Sequence, residues 1–180
     1  MMRPLDEPDR QFLLRLARRS VEEAVLGLPR PEEVPSSPAL LEPRGAFVTL
    51  RSSGQLRGCI GNVTAHQPLY GTVRECAQLA AKRDPRFRPV QAFEVPGLRI
   101  EVSALSDLSP IEPDQIEVGR HGLMVSLGFH RGVLLPQVPV EWNWDRQQFL
   151  EQTCLKAGLP ADAWQHGAKI EAFTAEIFSE

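Results

Sequence analysis

Cys59 is the side chain whose neighbours best equip it for chemistry. It stands in Leu56-Arg57-Gly58-Cys59-Ile60-Gly61-Asn62, where two glycines leave the thiol without bulky cover and an arginine lies two positions away. A nearby guanidinium favours the thiolate, which is the nucleophilic form. The same glycines also suit a bulge, or close approach by a ligand or another stretch of backbone. A small buried hydrophobe in a glycine-requiring turn would leave an identical pattern. His121, in Gly119-Arg120-His121-Gly122, has a comparable setting. A cysteine and a histidine within hydrogen-bond reach make a nucleophile and its base, and Glu141 would then orient the imidazole. A lone histidine is as readily a structural residue. Separation along the chain does not establish whether the three meet.

A second chemistry is available to the arginines. Arg57, Arg86, Arg120 and Arg131 are candidate anion contacts, with Gly58, Gly61 and Asn62 allowing close backbone approach. The basic turn Lys82-Arg83-Asp84-Pro85-Arg86-Phe87-Arg88 adds an aromatic ring to the charges, a combination suited to phosphate contact and base stacking. Its plainer role is to end a helix, where Lys82 and Arg83 complement the macrodipole.

Several elements must position these groups. Residues 45–50 favour a strand, Ser52-Ser53-Gly54-Gln55 supplies a turn, and the cysteine motif forms the returning strand. Strict alternation would place Arg57 and Cys59 on one face, with Leu56, Gly58 and Ile60 on the other and Leu56 and Ile60 anchored in the core. Apolar spacing predicts a helix over 8–28, capped by Asp6 and ended by Gly27 and Pro29, with Arg15, Arg18 and Arg19 on a solvated face. A proline-rich surface loop follows over 29–43. A second helix over 68–83 buries Cys76, and 98–105 alternates as a half-buried strand. The glycine-rich text from 118 to 137 reads as two strands joined at 128–130. A third helix over 146–157 starts at Asp145, stops at Gly158 and buries Cys154; 169–178 ends the chain as one strand. The expected fold class is therefore α+β, a mainly antiparallel sheet flanked by about three helices.

Composition narrows the function classes. The chain has 180 residues, 42% hydrophobic and 24% charged, and suits one domain, 1–180, with an α+β body over 44–180. A net charge of -3 argues against broad coating of nucleic acid while leaving room for a local basic site. Three separated cysteines and four scattered histidines show no metal-ligand spacing, and no dinucleotide, P-loop or serine-hydrolase motif is present, so no cofactor or metal is implied. No apolar run is long enough for a membrane span and the first residues lack a signal-peptide core, so a cytoplasmic location is expected.

The motif at 56–61, with residues 45–50, 84–87, 100–103, 119–123, 131–137 and 156–160 in that order, resembles the AMMECR-domain family, the AmmeMemoRadiSam system protein A, over about 12–178. The resemblance implies an α+β fold with room for a larger and a smaller lobe around a cleft. It also implies a Memo-like protein and a radical S-adenosylmethionine protein as partners, and a connection to RNA or nucleotide modification. Cys59 is the reactive residue it carries over. Two functional classes follow: a cysteine-centred enzyme or enzyme subunit, and a non-catalytic nucleotide- or RNA-binding module or protein adaptor.

Overall fold

The first helix, α1 (Glu7–Leu26), begins where Asp6 accepts a hydrogen bond from the Asp9 amide and ends at Gly27, whose φ of 70° is left-handed. Both devices satisfy backbone groups that a helix end leaves unpaired. In chain order there follow α2 (Pro38–Leu41), β1 (Ala46–Ser52), β2 (Gln55–Asn62), α3 (Leu69–Lys82), a 3-10 turn (Ala92–Gly97), β3 (Leu98–Leu105) and β4 (Ser109–Pro110). Then come β5 (Gly122–Leu127), β6 (His130–Leu134), α4 (Gln137–Glu141), α5 (Arg146–Lys156), β7 (Lys169–Phe173) and β8 (Ala175–Ser179). This computed structural model describes residues 2–30 and 32–180; Pro31, within the expected proline-rich loop, lies outside the described residues. The fold is α+β, and among the described residues its strands form two four-stranded sheets, β2-β1-β3-β8 and β4-β7-β5-β6. The chain divides into two compact units, one of residues 1–105 with 176–180 and the other of 106–175. Among the described residues no helix is long and apolar enough to cross a membrane.

In the first unit, α1 and α3 cover the sheet face carrying Val48, Leu50, Ile100 and Val102, all fully buried. Cys76 lies in that core, where burial pushes its thiol up to about 12. Helix α3 comes close because its inner side is built from Ala77, Ala80 and Ala81 and because Gly58 beneath it has no side chain. A Cβ at that position would overlap the Ala80 carbonyl oxygen. The glycine next to Cys59 thus admits helix backbone. Gly61, on the other side of the thiol, lies under the ring of Phe47, its partner across β1.

The expected alternation along β2 fails at Arg57. Leu50 pairs with Gly58 but Arg51 pairs with Leu56, so Arg57 is an extra residue in a bulge. The inserted residue turns Leu56 to the face of Arg51 and away from the core; Leu56 is 36% exposed, whereas Ile60 keeps its place on the core. Arg18 also departs from the expected solvated face. Its guanidinium donates to the carbonyls of Val95 at 2.9 Å and Leu98 at 2.6 Å and pairs with Glu180, tying α1 to the chain's last residue. Arg44, almost wholly buried, donates to the carbonyls of Leu105 and Ala104 and pairs with Glu176 at 3.1 Å.

In the second unit, Phe149 and Leu150 of α5 pack with Leu123 and Ala172 of the sheet, and Cys154 is buried with Val125. The same glycine devices recur. Phe173 covers Gly122, and the backbone of Ala157 occupies the space where a Gly132 Cβ would stand. Two expected boundaries move. The strand read through residue 137 stops at Leu134, and Glu141 ends a short helix instead. The single strand expected over 169–178 breaks at Thr174 into β7 and β8, which join different sheets. There the Ser106 hydroxyl accepts from the Thr174 amide while Thr174's carbonyl accepts from the Ser106 amide, both at 2.8 Å. Ser106 thereby occupies groups a continuous strand would use.

Gly58→Ala should cost roughly 1 to 3 kcal/mol in chemical denaturation, because the added methyl overlaps a carbonyl that belongs to a packed helix. Gly97→Ala, with open space around it, should change stability by less than about 1 kcal/mol. Equal effects from the two substitutions would contradict the packing described.

Candidate functional site

Strand β2 is an edge, so its outward N–H and C=O groups have no neighbouring strand to pair with. At Cys59 a side-chain pair takes that place. The Cys59 amide donates to Asp84 Oδ2 at 2.9 Å, and its carbonyl accepts from Arg86 Nη2 at 3.3 Å. Asp84 and Arg86 are themselves joined by two parallel bonds, Nε to Oδ1 at 3.0 Å and Nη2 to Oδ2 at 2.8 Å, and the Arg86 amide donates to Oδ1 at 3.0 Å. Asp84 is only 5% exposed. The bonds from Arg86, helped by the Cys59 amide, hold its carboxyl at about 2 against an ordinary 3.8.

The thiol itself is half-buried and lies 3.3 Å from Thr49 Oγ1, the hydroxyl directly across β1. Burial pushes the thiol above its ordinary value, and the Thr49 hydrogen bond and the Arg86 charge only partly offset this. The charge that favours the thiolate comes from Arg86 and not from the expected Arg57, and burial outweighs it. Arg57 sits in the bulge and is clamped by Glu94, with Nε to Oε1 at 2.8 Å and Nη2 to Oε2 at 3.0 Å; its Nη1 donates to the Arg88 carbonyl at 3.0 Å. The same clamp, with the Gln91 amide, lowers the Glu94 carboxyl's affinity for protons.

Arg57, Arg86 and Arg88 line one groove of about 580 Å³ with Phe87, Pro89, Gln91, Phe93 and Glu94, all within the first unit. The guanidinium carbons of Arg57 and Arg86 stand 6.0 and 5.5 Å from the centre of the Phe87 ring. Arg88 is exposed, and its charge favours the ionised Glu94 carboxyl. Asn62 is exposed too, its Oδ1 accepting from the Thr64 amide at 3.1 Å.

The other expected site residues belong to the second unit. His121 accepts a hydrogen bond at Nδ1 from the Glu117 amide at 3.0 Å, which fixes the neutral ring with its proton on Nε2. Desolvation first, and Arg120's charge second, lower its proton affinity. Arg120 pairs with Glu117 at 3.0 Å, Arg131 is exposed on β6, and Glu141 is exposed at the end of α4. Cys59 lies in one unit and His121 and Glu141 in the other, so no compact unit contains the three together. Among the described residues no group of three His, Cys, Asp or Glu side chains could hold a metal ion. Sequence reasoning gave no role to Asp84, Glu94 or Phe93. The Asp84-Pro85-Arg86 spacing carried a usable signal, since a carboxylate two residues before an arginine can bind it and its amide together. The pairing of Arg57 with Glu94, 37 residues apart, carried none.

Asp84→Asn should cost about 2 kcal/mol near neutral pH. A depressed carboxyl contributes fully above its unfolded value of 3.8 and loses that contribution as pH falls through about 2. The gap in denaturation midpoint between the wild type and the Asp84→Asn variant should thus close between those pH values; a constant gap would contradict the ion pair's role. Cys59 in the native protein should label slowly with a thiol reagent until pH rises above the ordinary thiol value of 9.0, and rapid labelling near neutrality would contradict its burial.

A protein of Thermococcus gammatolerans is 49% identical over 185 residues, covering 94% of this chain and 89% of the relative. One from Methanosarcina barkeri is 42% identical over 186 residues, covering 98% and 92%. The crystal structure of an uncharacterized protein from Pyrococcus horikoshii superposes with a TM-score of 0.89 at 46% identity, over 94% of this chain and 90% of that one. The AMMECR1 family model matches residues 14–178, a range that takes in the strand bearing Cys59 and the Asp84 to Phe87 turn: this chain belongs to the AMMECR1 family.

Proposed function

We propose that the protein is a binding module for a phosphate-bearing ligand of the nucleotide or RNA class, held in the groove of the first unit. One observation carries this reading. Three arginines and two phenylalanines line a single groove whose volume falls within the roughly 300 to 1,000 Å³ usual for ligand sites. Arg86 and Arg57 are preset there by carboxylates. Each still has donors left over, because the ion pair and carbonyl contacts engage only part of a guanidinium's five N–H groups. Arg88, exposed on the same rim, adds a third guanidinium.

The competing reading, a cysteine nucleophile, has less support. The Cys59 thiol is disfavoured from ionising and is hydrogen-bonded to Thr49, while the motif's glycines are occupied by Ala80 and Phe47. Cys59 then serves to position the edge strand against which Arg86 is fixed. On this account the module presents its ligand to the Memo-like and radical S-adenosylmethionine proteins that the family resemblance implies, and the chemistry on that ligand belongs to them.

Binding of a fluorescein-labelled eight-nucleotide RNA, followed by anisotropy, tests the proposal. Affinity should fall with salt with a log-log slope of about -0.7 for each phosphate engaged, so about -1.4 when Arg86 and Arg88 each hold one. Arg88→Ala should weaken binding several-fold and make the slope shallower by about 0.7, whereas Cys59→Ser should bind as the wild type does. Salt-independent binding, or loss of binding on Cys59→Ser with the fold intact, would overturn it.

A further inference from the structure

We infer that the groove takes an unpaired nucleotide strand, with one base lying flat on the ring of Phe93, an inference that rests on the anion-binding reading above. The two phenylalanines of the groove are not equivalent. Phe87 is half-buried, and its ring already faces the guanidiniums of Arg57 and Arg86. Phe93 is 84% exposed and has no ring or cation contact among the described residues. A large apolar ring left bare to water on the wall of an arginine-lined groove is the arrangement that single-strand binding uses, since every base offers a π-face.

The ring's support is rigid. Phe93 sits in the 3-10 turn Ala92–Gly97, where the Gln91 amide donates to Glu94 Oε2 at 2.7 Å and the Glu94 amide donates to the Gln91 carbonyl at 3.0 Å. Glu94 is in turn held by Arg57. The chain of contacts that orients Arg57 therefore also fixes the backbone under Phe93, so little ordering is left to be done when a ligand binds.

Ligand geometry decides the class. In a duplex the faces of the bases are covered by their neighbours, and only edges and phosphates are presented. A ring on the groove wall can stack only on a base that is unstacked, as in single strands, loops and ends. A bare polyphosphate would use the arginines and leave Phe93 idle. Gln91 lines the same groove; its Nε2 donates to the Pro89 carbonyl, and the second N–H of that amide remains to donate to a base edge.

Competition against the labelled eight-nucleotide RNA, using the full chain, separates the possibilities. Unlabelled single strand should compete at least about ten-fold better than a duplex of the same sequence or tripolyphosphate. Phe93→Ala should weaken single-strand binding about ten-fold while leaving the salt slope unchanged, and Phe93→Trp should restore it with fluorescence quenched on binding. Because Phe93 is exposed, neither substitution threatens the fold. Equal competition by duplex and single strand, or no effect of Phe93→Ala, overturns this inference and leaves the anion site standing if Arg88→Ala still weakens binding. Failure of all three probes to bind overturns both.

Discussion

The first unit depends on one carboxylate. Asp84 is buried at the edge of β2 and gathers the Cys59 amide together with the backbone and side chain of Arg86, so that a single residue closes a sheet edge and aims a cation. A charge taken out of water is tolerated only when its lone pairs are filled, and here they are. The ion pair mimics a neighbouring strand, offering one acceptor and one donor to the Cys59 peptide. The cysteine motif and the Asp-Pro-Arg-Phe turn thus satisfy each other's polar groups. A second carboxylate, Glu94, repeats the logic for Arg57 and carries it on to the turn that bears Phe93.

Much of the fold was legible in the sequence because it rests on local rules. Asp6 and Asp145 cap the helices that their positions announced, and Gly27 and Gly158 adopt the left-handed conformation that ends them. The hairpin turn at Ser53 and Gly54, both with positive φ, follows from turn chemistry alone. What escaped was non-local. The bulge at Arg57 breaks the period-two pattern; Gly58 beside it allowed a bulge, but whether and where the register shifts depends on the pairing with β1. The break at Thr174 depends on Ser106, 68 residues earlier, and Arg18 leaves the solvated face of its helix to reach carbonyls about 80 residues on.

The candidate site shows the same division. The basic turn was recognisable from composition, and two of its arginines, Arg86 and Arg88, line a groove. The glycines beside Cys59 fit a bulge, ligand approach or backbone approach alike; helix backbone and a phenylalanine ring fill the space, and a bulge falls next to Gly58. A glycine-flanked thiol can thus be half-buried and hydrogen-bonded to its cross-strand neighbour. Burial, which the sequence does not display, determines how the thiol ionises.

If the carboxylate-anchored arginines of the first unit form a prearranged phosphate site, their Nε–H resonances, followed by NMR during titration with single-stranded RNA, report it most directly. Arg57 and Arg86 should give sharp, exchange-protected signals before any ligand is added, because Glu94 and Asp84 hold those protons. On titration Arg88 should shift most, with Arg57 and Arg86 following while their protection persists. Unprotected signals from Arg57 and Arg86 in the free protein, or shifts confined to Arg120 and Arg131 of the second unit, would contradict it.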